Sequence, residues 1–360
     1  MLACATIVAS SAFAPPVADA AGKWTSASRL HASREFHPAT ALPNGEVLVS
    51  GGFGYDGILA SSELFDPEQR RWHTAFGLNV ARFAHTSTLL GTGRVLAVGG
   101  ANLADGYVAL SELFDPAKGT WTEAARLNRA RANHTATLMR DGRLLVAGGL
   151  AKSHTVLRSS ELYEPQDDRW SRARSMRVGR FHHTATALAD GRIMVTGGEN
   201  KSGSALGSVE IYDPARRRWT RAAPMRRARV NHTATGLLDG RVLLTGGGDR
   251  ASGFTSTAEI YNPKTNRWTY VPRMRQERGQ HAASLMLDGR VLVAGGFADS
   301  GTVRRTEIYD PKKRRFSTGG SLRQARAHAS ITLLRDGVLI AGGGQVSGRI
   351  IPSTELYSPR

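Results

Sequence analysis

The chain has 360 residues, 41% of them hydrophobic and 22% charged, a globular balance that argues against disorder. Its 40 glycines suit many short strands and tight turns better than a helical bundle, and its single cysteine, Cys4, excludes an intrachain disulfide or a cysteine-type metal cluster. Lys and Arg outnumber Asp and Glu by 48 to 30, a net +18, which admits nucleic acid, an anionic membrane surface or an acidic polysaccharide as a partner. Only seven of the 48 are Lys, so coding bias in a GC-rich genome accounts for the excess as well as a partner does.

Residues 1–20 read as an export signal. Residues 2–13 are a short apolar stretch, and Ala18-Asp19-Ala20 supplies small-x-small before Ala21. No Lys or Arg precedes the stretch, which a mis-assigned start would explain, and Met1-Leu2-Ala3 is too short to make Cys4 a lipoprotein site. The expected mature chain, 21–360, is soluble and secreted or periplasmic. The alternative is a loosely packed tail.

From here one unit recurs. Gly-Gly pairs begin at Gly51, Gly99, Gly148, Gly197, Gly246, Gly295 and Gly342, each 14 residues after a histidine: His37, His85, His134, His183, His232, His281 and His328. Each pair is followed by a glutamate opening a short apolar string: Glu63, Glu112, Glu161, Glu210, Glu259, Glu307 and Glu355. Nine residues beyond the first six stand Trp72, Trp121, Trp170, Trp219, Trp268 and Phe316. In the third unit residues 134–139 are strand-like, Asp141-Gly142 is a hairpin signal and residues 143–147 return as an apolar strand. After a variable loop, residues 159–163 make a third strand, Glu164-Pro165 opens a turn, and Trp170 begins a fourth. Each unit is a four-stranded meander with two apolar faces to cover.

The string HTATLMRDGRLLVAGG, then SSELYEP, then a Trp, resembles the kelch repeat, and the likeness runs over residues 24–360. The resemblance implies an all-β fold, a seven-bladed β-propeller of four-stranded antiparallel kelch blades. The chain ends agree. The seventh unit stops before its own Trp, while Trp24 stands before the first unit at the spacing that Trp72 keeps to His85. Residues 23–30 are therefore expected as an N-terminal outer strand closing the last blade.

Ten residues after each Trp or its substitute stands an arginine: Arg34, Arg82, Arg131, Arg180, Arg229, Arg278 and Arg326. At the connectors between blades they are candidate ligand-binding residues for carboxylates, sulfates or phosphates, and the kelch resemblance implies such a role in some animal relatives that bind acidic peptides. The other reading pairs each with one of the seven glutamates inside the blade, and the matching counts favour it. The histidines, one per unit, are too dispersed for a metal site and suit hydrogen bonding at the head of the inner strand. The variable loops, with Tyr55, Asp105, Tyr107, Glu199, Arg250 and Phe254 among their residues, are where a sugar or extended peptide would be recognised. The opposite face carries basic runs at 216–218 and 312–315, read first as solvated charge and second as a polyanion patch.

A binding module for an anionic polymer, glycan or protein is preferred to an enzyme, and a monomer without metal or cofactor is expected. Nucleic acid is disfavoured because the basic runs lack interleaved aromatics. The alternative is a carbohydrate-active enzyme similar to sialic-acid mutarotases. The copper chemistry of galactose oxidase is excluded, because a mature chain beginning at 21 has no cysteine to crosslink.

Overall fold

A computed structural model describes residues 22–104, 106–334, 338–340, 342–346 and 348–359. The stretch read as an export signal, with Cys4, and loop residue Asp105 lie outside the described residues.

Blade 3 shows how the unit folds. Thr135–Leu138, Leu144–Ala147, Ser160–Glu164 and Arg169–Ala173 pair antiparallel in sequence order. Gly142 turns the first hairpin at φ 83°, a conformation glycine adopts without a Cβ clash. Leu144, Leu145 and Val146 are all buried, so this strand is a continuous apolar run rather than an alternating one. Blades packed on both sides require that pattern.

The repeat count resolves into six blades, each cut from one continuous stretch, and one composite sheet. Blades 1 to 6 begin at Ala39, Thr86, Thr135, Thr184, Thr233 and Ala282 and end at Ala75, Ala124, Ala173, Ala222, Val271 and Ser321. In the composite sheet both chain ends meet: Ile331–Leu333, Val338–Ile340 and Glu355–Ser358 from the C-terminal part, and Lys23–Ser26 as the outermost strand. That closing strand is shorter than residues 23–30, because Ala27 and Leu30 already leave it while still donating to the Thr354 and Pro352 carbonyls.

Hydrophobic cores lie between sheets. Leu96 and Val98 of blade 2 pack with Leu144, Val146 and Trp170 of blade 3, and the same layer recurs round the circle. The composite sheet joins blade 6 through Trp24, Tyr357 and Leu292 and joins blade 1 through Leu30, Leu334 and Val47. The inner strands succeed one another in a closed ring, from Ala39–Ala41 round to Ile331–Leu333 and back.

Each tryptophan also ties backwards to the sheet before it. Trp121 Nε1 donates to Ser62 Oγ of blade 1 at 3.0 Å, Trp72 to Thr354 Oγ1 of the composite sheet at 3.2 Å, and Trp24 to Thr306 Oγ1 of blade 6 at 3.1 Å. Closure thus uses the same bond as the junctions at Trp121 and Trp170, whereas Trp219 and Trp268 donate to the Arg174 and Ala223 carbonyls. Phe316, lacking an N–H, contributes only packing.

Candidate functional site

The repeated arginines are inside the blades. Arg34, Arg82, Arg131, Arg180, Arg229, Arg278 and Arg326 are at most 1% exposed. Each meets the glutamate of its own repeat: Glu63, Glu112, Glu161, Glu210, Glu259, Glu307 and Glu355, at 2.6 to 3.1 Å. Arg131 also donates to the Gly148 and Ser159 carbonyls, while Glu161 accepts from the Asn128 and Arg129 backbone N–H groups of the connector. Burial pulls the guanidinium pKa values down and the paired carboxylates pull them back. A ligand would reach these arginines only by opening a blade junction, so the geometry realises the paired reading.

The histidines bridge neighbouring sheets. His134 Nε2 shares a hydrogen bond with Thr86 Oγ1 of blade 2 at 3.1 Å, and His183, His232 and His281 repeat it with Thr135, Thr184 and Thr233. His85 uses Ser50 and His37 uses Ser330. Burial, seconded by the neighbouring arginine, lowers the pKa of His37, His134 and His232 to about 3, so all three are neutral.

His328 does not belong to this set. Counting from the connector arginine, the seventh histidine position is Ala329, and the glycine pair in register is Gly343-Gly344 rather than a pair beginning at Gly342. The contacts agree. A Cβ on Gly51 or Gly52 would strike the Arg82 or Glu35 carbonyl, and one on Gly343 or Gly344 would approach the matching Arg34 or Ala327 carbonyl. The extra glycine moved the sequence register by one residue.

His328 occupies the preceding position, and that position forms the candidate site. Phe36, Ala84, Asn133, His182, Asn231, Gln280 and His328 all adopt left-handed backbone, with φ between 50° and 58°. They are linked round the head of the inner-strand ring. The Ala84 N–H donates to Phe36 O, Asn133 to Ala84 O, Asn231 to His182 O, Gln280 to Asn231 O and His328 to Gln280 O, at 2.9 to 3.3 Å. All seven are half-buried. Non-glycine residues adopt this conformation at a cost, and such strain gathers at ligand clamps.

The mouth has two unlike sectors. On one side Phe36 stacks on His328 with centroids 3.9 Å apart, Phe297 meets His328 edge-on at 5.4 Å, and Phe83 lies near Phe36 and Phe53. Exposed Tyr55 and Leu103 extend this sector on the neighbouring loops. His328 Nδ1–H donates to the buried Glu35 carboxylate at 2.9 Å, and Nε2 is buried with no hydrogen-bond partner among the described residues. On the other side the amides of Asn133, Asn231 and Gln280 and the ring of His182 make no hydrogen bond with a described residue, and Arg250 reaches Glu199 at 3.1 Å. Burial, then the charge of His328, lowers the His182 pKa to about 4.

The variable loops are anchored to this mouth. Most fold as two-residue ribbons, such as Phe53–Gly54 with Gly57–Ile58. The first residue of each loop bridges the residue after a connector arginine: Phe53 to Glu35, Ala101 to Phe83, Glu199 to Phe181, Phe297 to Gly279.

The family model described as the KLHDC2/KLHL20/DRC7 Kelch-repeats domain matches residues 133–344, more than half of the chain. The chain belongs to the kelch-repeat family. Two solved structures share the fold of this kelch propeller. One is titled a novel fungal alcohol oxidase with catalytic diversity among the AA5 family, in complex with copper. It is 20% identical with a TM-score of 0.77, over 94% of this chain and 76% of that one. The other, titled the structure of YjhT, is 15% identical with a TM-score of 0.64, over 81% and 98%. No curated protein sequence matches the chain.

Among the described residues no three His, Cys, Asp or Glu side chains converge as metal ligands. Sequence reasoning looked for specificity in the loops and missed the ring. The signal was present: directly before the repeated histidine, otherwise uniform repeats read Phe, Ala, Asn, His, Asn and Gln.

Proposed function

We propose that this kelch propeller is a binding module that holds a glycan at the loop-face mouth of its inner-strand ring. One observation carries the reading: seven equivalent left-handed backbone positions, five successive pairs of them joined by backbone hydrogen bonds, carry five different residue types. An aromatic and histidine sector beside unpartnered amides suits a sugar, whose C–H faces stack on rings while its hydroxyls exchange hydrogen bonds with Asn133, Asn231 and Gln280. The connector arginines are already neutralised by glutamates, so a negative charge on the ligand is no requirement at this mouth. We place the chain outside the cytoplasm on the character of residues 1–20, which N-terminal sequencing of the exported protein tests.

The experiment is a glycan array followed by calorimetric titration of the best hit against the full chain, Phe36→Ala and Asn231→Ala. Affinity is expected to fall by at least about tenfold in either variant, with an unchanged melting temperature. An unchanged affinity overturns the proposed mouth. Capture of a protein that depends on the same residues makes the ligand a polypeptide instead.

A second reading rests on the Glu35–His328 pair. A carboxylate orienting an imidazole whose Nε2 lacks a partner supplies an acid and a base, as a mutarotase-like activity on a sugar needs. Anomer exchange followed by NMR, lost in His328→Gln while binding persists, separates catalysis from recognition.

A further inference from the structure

We propose a second binding surface, on the face opposite the mouth, where blades 4 to 6 hold a linear anionic polysaccharide along one arc of the rim. In each blade the turn between the third and outer strands points to this face. The turns of blades 4, 5 and 6, at 213–218, 262–267 and 310–315, carry nine Lys and Arg against Asp213 and Asp310. The corresponding turns of blades 1, 2 and 3, at 66–71, 115–120 and 164–169, carry four basic and six acidic residues. The positive charge of these turns is therefore concentrated on consecutive blades rather than spread round the ring.

The two acids on the basic arc offset it only in part: Asp213 Oδ2 pairs with Arg216 at 3.6 Å, and two acids face nine cations. Asp213 Oδ1 accepts from the Ala215 and Arg216 N–H groups, and Asp310 Oδ1 accepts from those of Lys312 and Lys313. These bonds fix the turns. Residues 216–218 and 312–315 stay exposed at the corners.

An independent observation shows that the charge occupies places better filled by other residues. The turn position at φ 43° to 51° is Asp168 in blade 3, Arg217 in blade 4, Asn266 in blade 5 and Arg314 in blade 6. Asp168 Oδ1 accepts from the Tyr163 hydroxyl at 2.8 Å and the Ala125 N–H at 2.9 Å; Asn266 Oδ1 does the same for Tyr261 and Ala223. Arginine has no acceptor. In blades 4 and 6 the buried Tyr212 and Tyr309 hydroxyls have no hydrogen-bond partner among the described residues. Both arginines thus sit in a backbone conformation that favours Asn and Asp, and each leaves a buried polar group unsatisfied. Arg70 of blade 1 shares this backbone at φ 53°, but Phe65 beside it has no hydroxyl to satisfy; in blades 4 and 6 the two departures coincide where positive charge is placed outward, which points to function.

The shape of the patch selects the partner. A flat membrane would meet the whole face and press the acidic turns of blades 1 to 3 against like charge. A linear chain can follow the basic arc alone. Guanidinium groups dominate the arc and match sulfate and carboxylate in bidentate geometry. The exposed residues of these turns include no aromatic to stack a base and no helix or ribbon to enter a groove, which favours a polysaccharide over nucleic acid.

The test titrates the full chain with heparin, a linear sulfated polysaccharide, and in parallel with duplex DNA and with anionic phospholipid vesicles, at low and moderate salt. The decisive variant is Arg217→Asn with Arg314→Asn; Arg70→Asn with Arg71→Asn removes equal charge from blade 1. Heparin affinity is expected to fall about tenfold in the first and less than about twofold in the second. Because Asn supplies the missing acceptor, the first variant should melt higher than the parent, so lost binding cannot be lost folding. Phe36→Ala should leave heparin binding unchanged, which keeps this test separate from that of the mouth. Equal weakening by both double variants would overturn the proposal, as would tighter binding of DNA or vesicles through the same arginines.

Discussion

Arg131 and Glu161 meet at 2.6 Å with both side chains removed from solvent, and the pair holds three chain segments together. The guanidinium binds the carbonyls of Gly148 and Ser159, and the carboxylate binds the connector arriving from blade 2. Removing one partner strands the other charge, which typically costs about 3–5 kcal/mol. Arg131→Ala is expected to lose stability on that scale in urea denaturation, and Glu161→Gln to lose part of it because the amide oxygen still accepts from the connector. Ligand loss in an Arg131 variant would consequently report damage to the blade. A variant as stable as the parent would show that the pair does not cement the junction.

The neutral histidines predict acid sensitivity above the usual carboxylate range. The pKa of His134 in the folded chain is about 3, against 6.5 in the unfolded chain. Between those values the unfolded chain takes up protons that the folded chain refuses. Stability is therefore fully present above roughly pH 6.5 and is lost progressively as the pH falls towards 3. Each such histidine contributes a limiting slope of about 1.4 kcal/mol per pH unit. Denaturant titrations between pH 7 and 4 should show a steep decline, and His134→Gln should flatten it. Equal slopes for parent and variant would mean that His134 carries its proton inside the fold.

The tyrosines at the turns give a paired stability prediction. Tyr163→Phe removes a satisfied buried bond to Asp168 and is expected to cost about 1 kcal/mol, whereas Tyr212→Phe removes a hydroxyl without a partner and should be neutral or stabilising. Arg217→Asn should add about 1 kcal/mol by satisfying Tyr212 and suiting its left-handed backbone. Differential scanning calorimetry of the three variants checks the set, and a loss of stability in Arg217→Asn would contradict the account of that turn.

The repeat-bearing features were legible because each rests on identical residues at fixed spacing. Trp24 announced the closing strand, since its distance to His37 equals that of Trp72 to His85, and the seven arginines and glutamates announced their pairing by number. What stayed hidden depends on backbone conformation. Nothing in the composition of Phe36 or Ala84 reveals a positive φ, because the surrounding ring imposes it. The last unit was misread for a simple reason: its third consecutive glycine offered two pairs, and His328 fitted the wrong one. The orphan hydroxyls of Tyr212 and Tyr309 were equally hidden, since they follow from which atom a turn residue five positions later presents.

Ring closure can be tested at its last joint. Trp24 is buried between the composite sheet and blade 6, packs on Tyr357 with centroids 4.9 Å apart and donates to Thr306. Trp24→Ala should cost about 3–5 kcal/mol, as large-to-small changes in a core do. It should also loosen the strand that covers Glu355–Ser358, leaving an edge open to pairing with another chain. Hydrogen exchange of residues 355–358 and light scattering on heating report both effects. Protection equal to the parent would show that the ring stays shut without this side chain.

The strained ring at the mouth carries its own test. Ala84 adopts φ 52° with only a methyl side chain, so replacing it by glycine removes a Cβ clash and no functional group. The left-handed conformation costs an L-residue roughly 1–2 kcal/mol, while glycine gives back part of that gain through the greater entropy of the unfolded chain. Ala84→Gly should therefore stabilise the protein by about 0.5–1 kcal/mol. Ala136→Gly, on the extended inner strand of blade 3, should destabilise it by a similar amount. If the Ala84 variant is less stable instead, the ring is not strained, and the reason for seeing a clamp in its seven residues weakens with it.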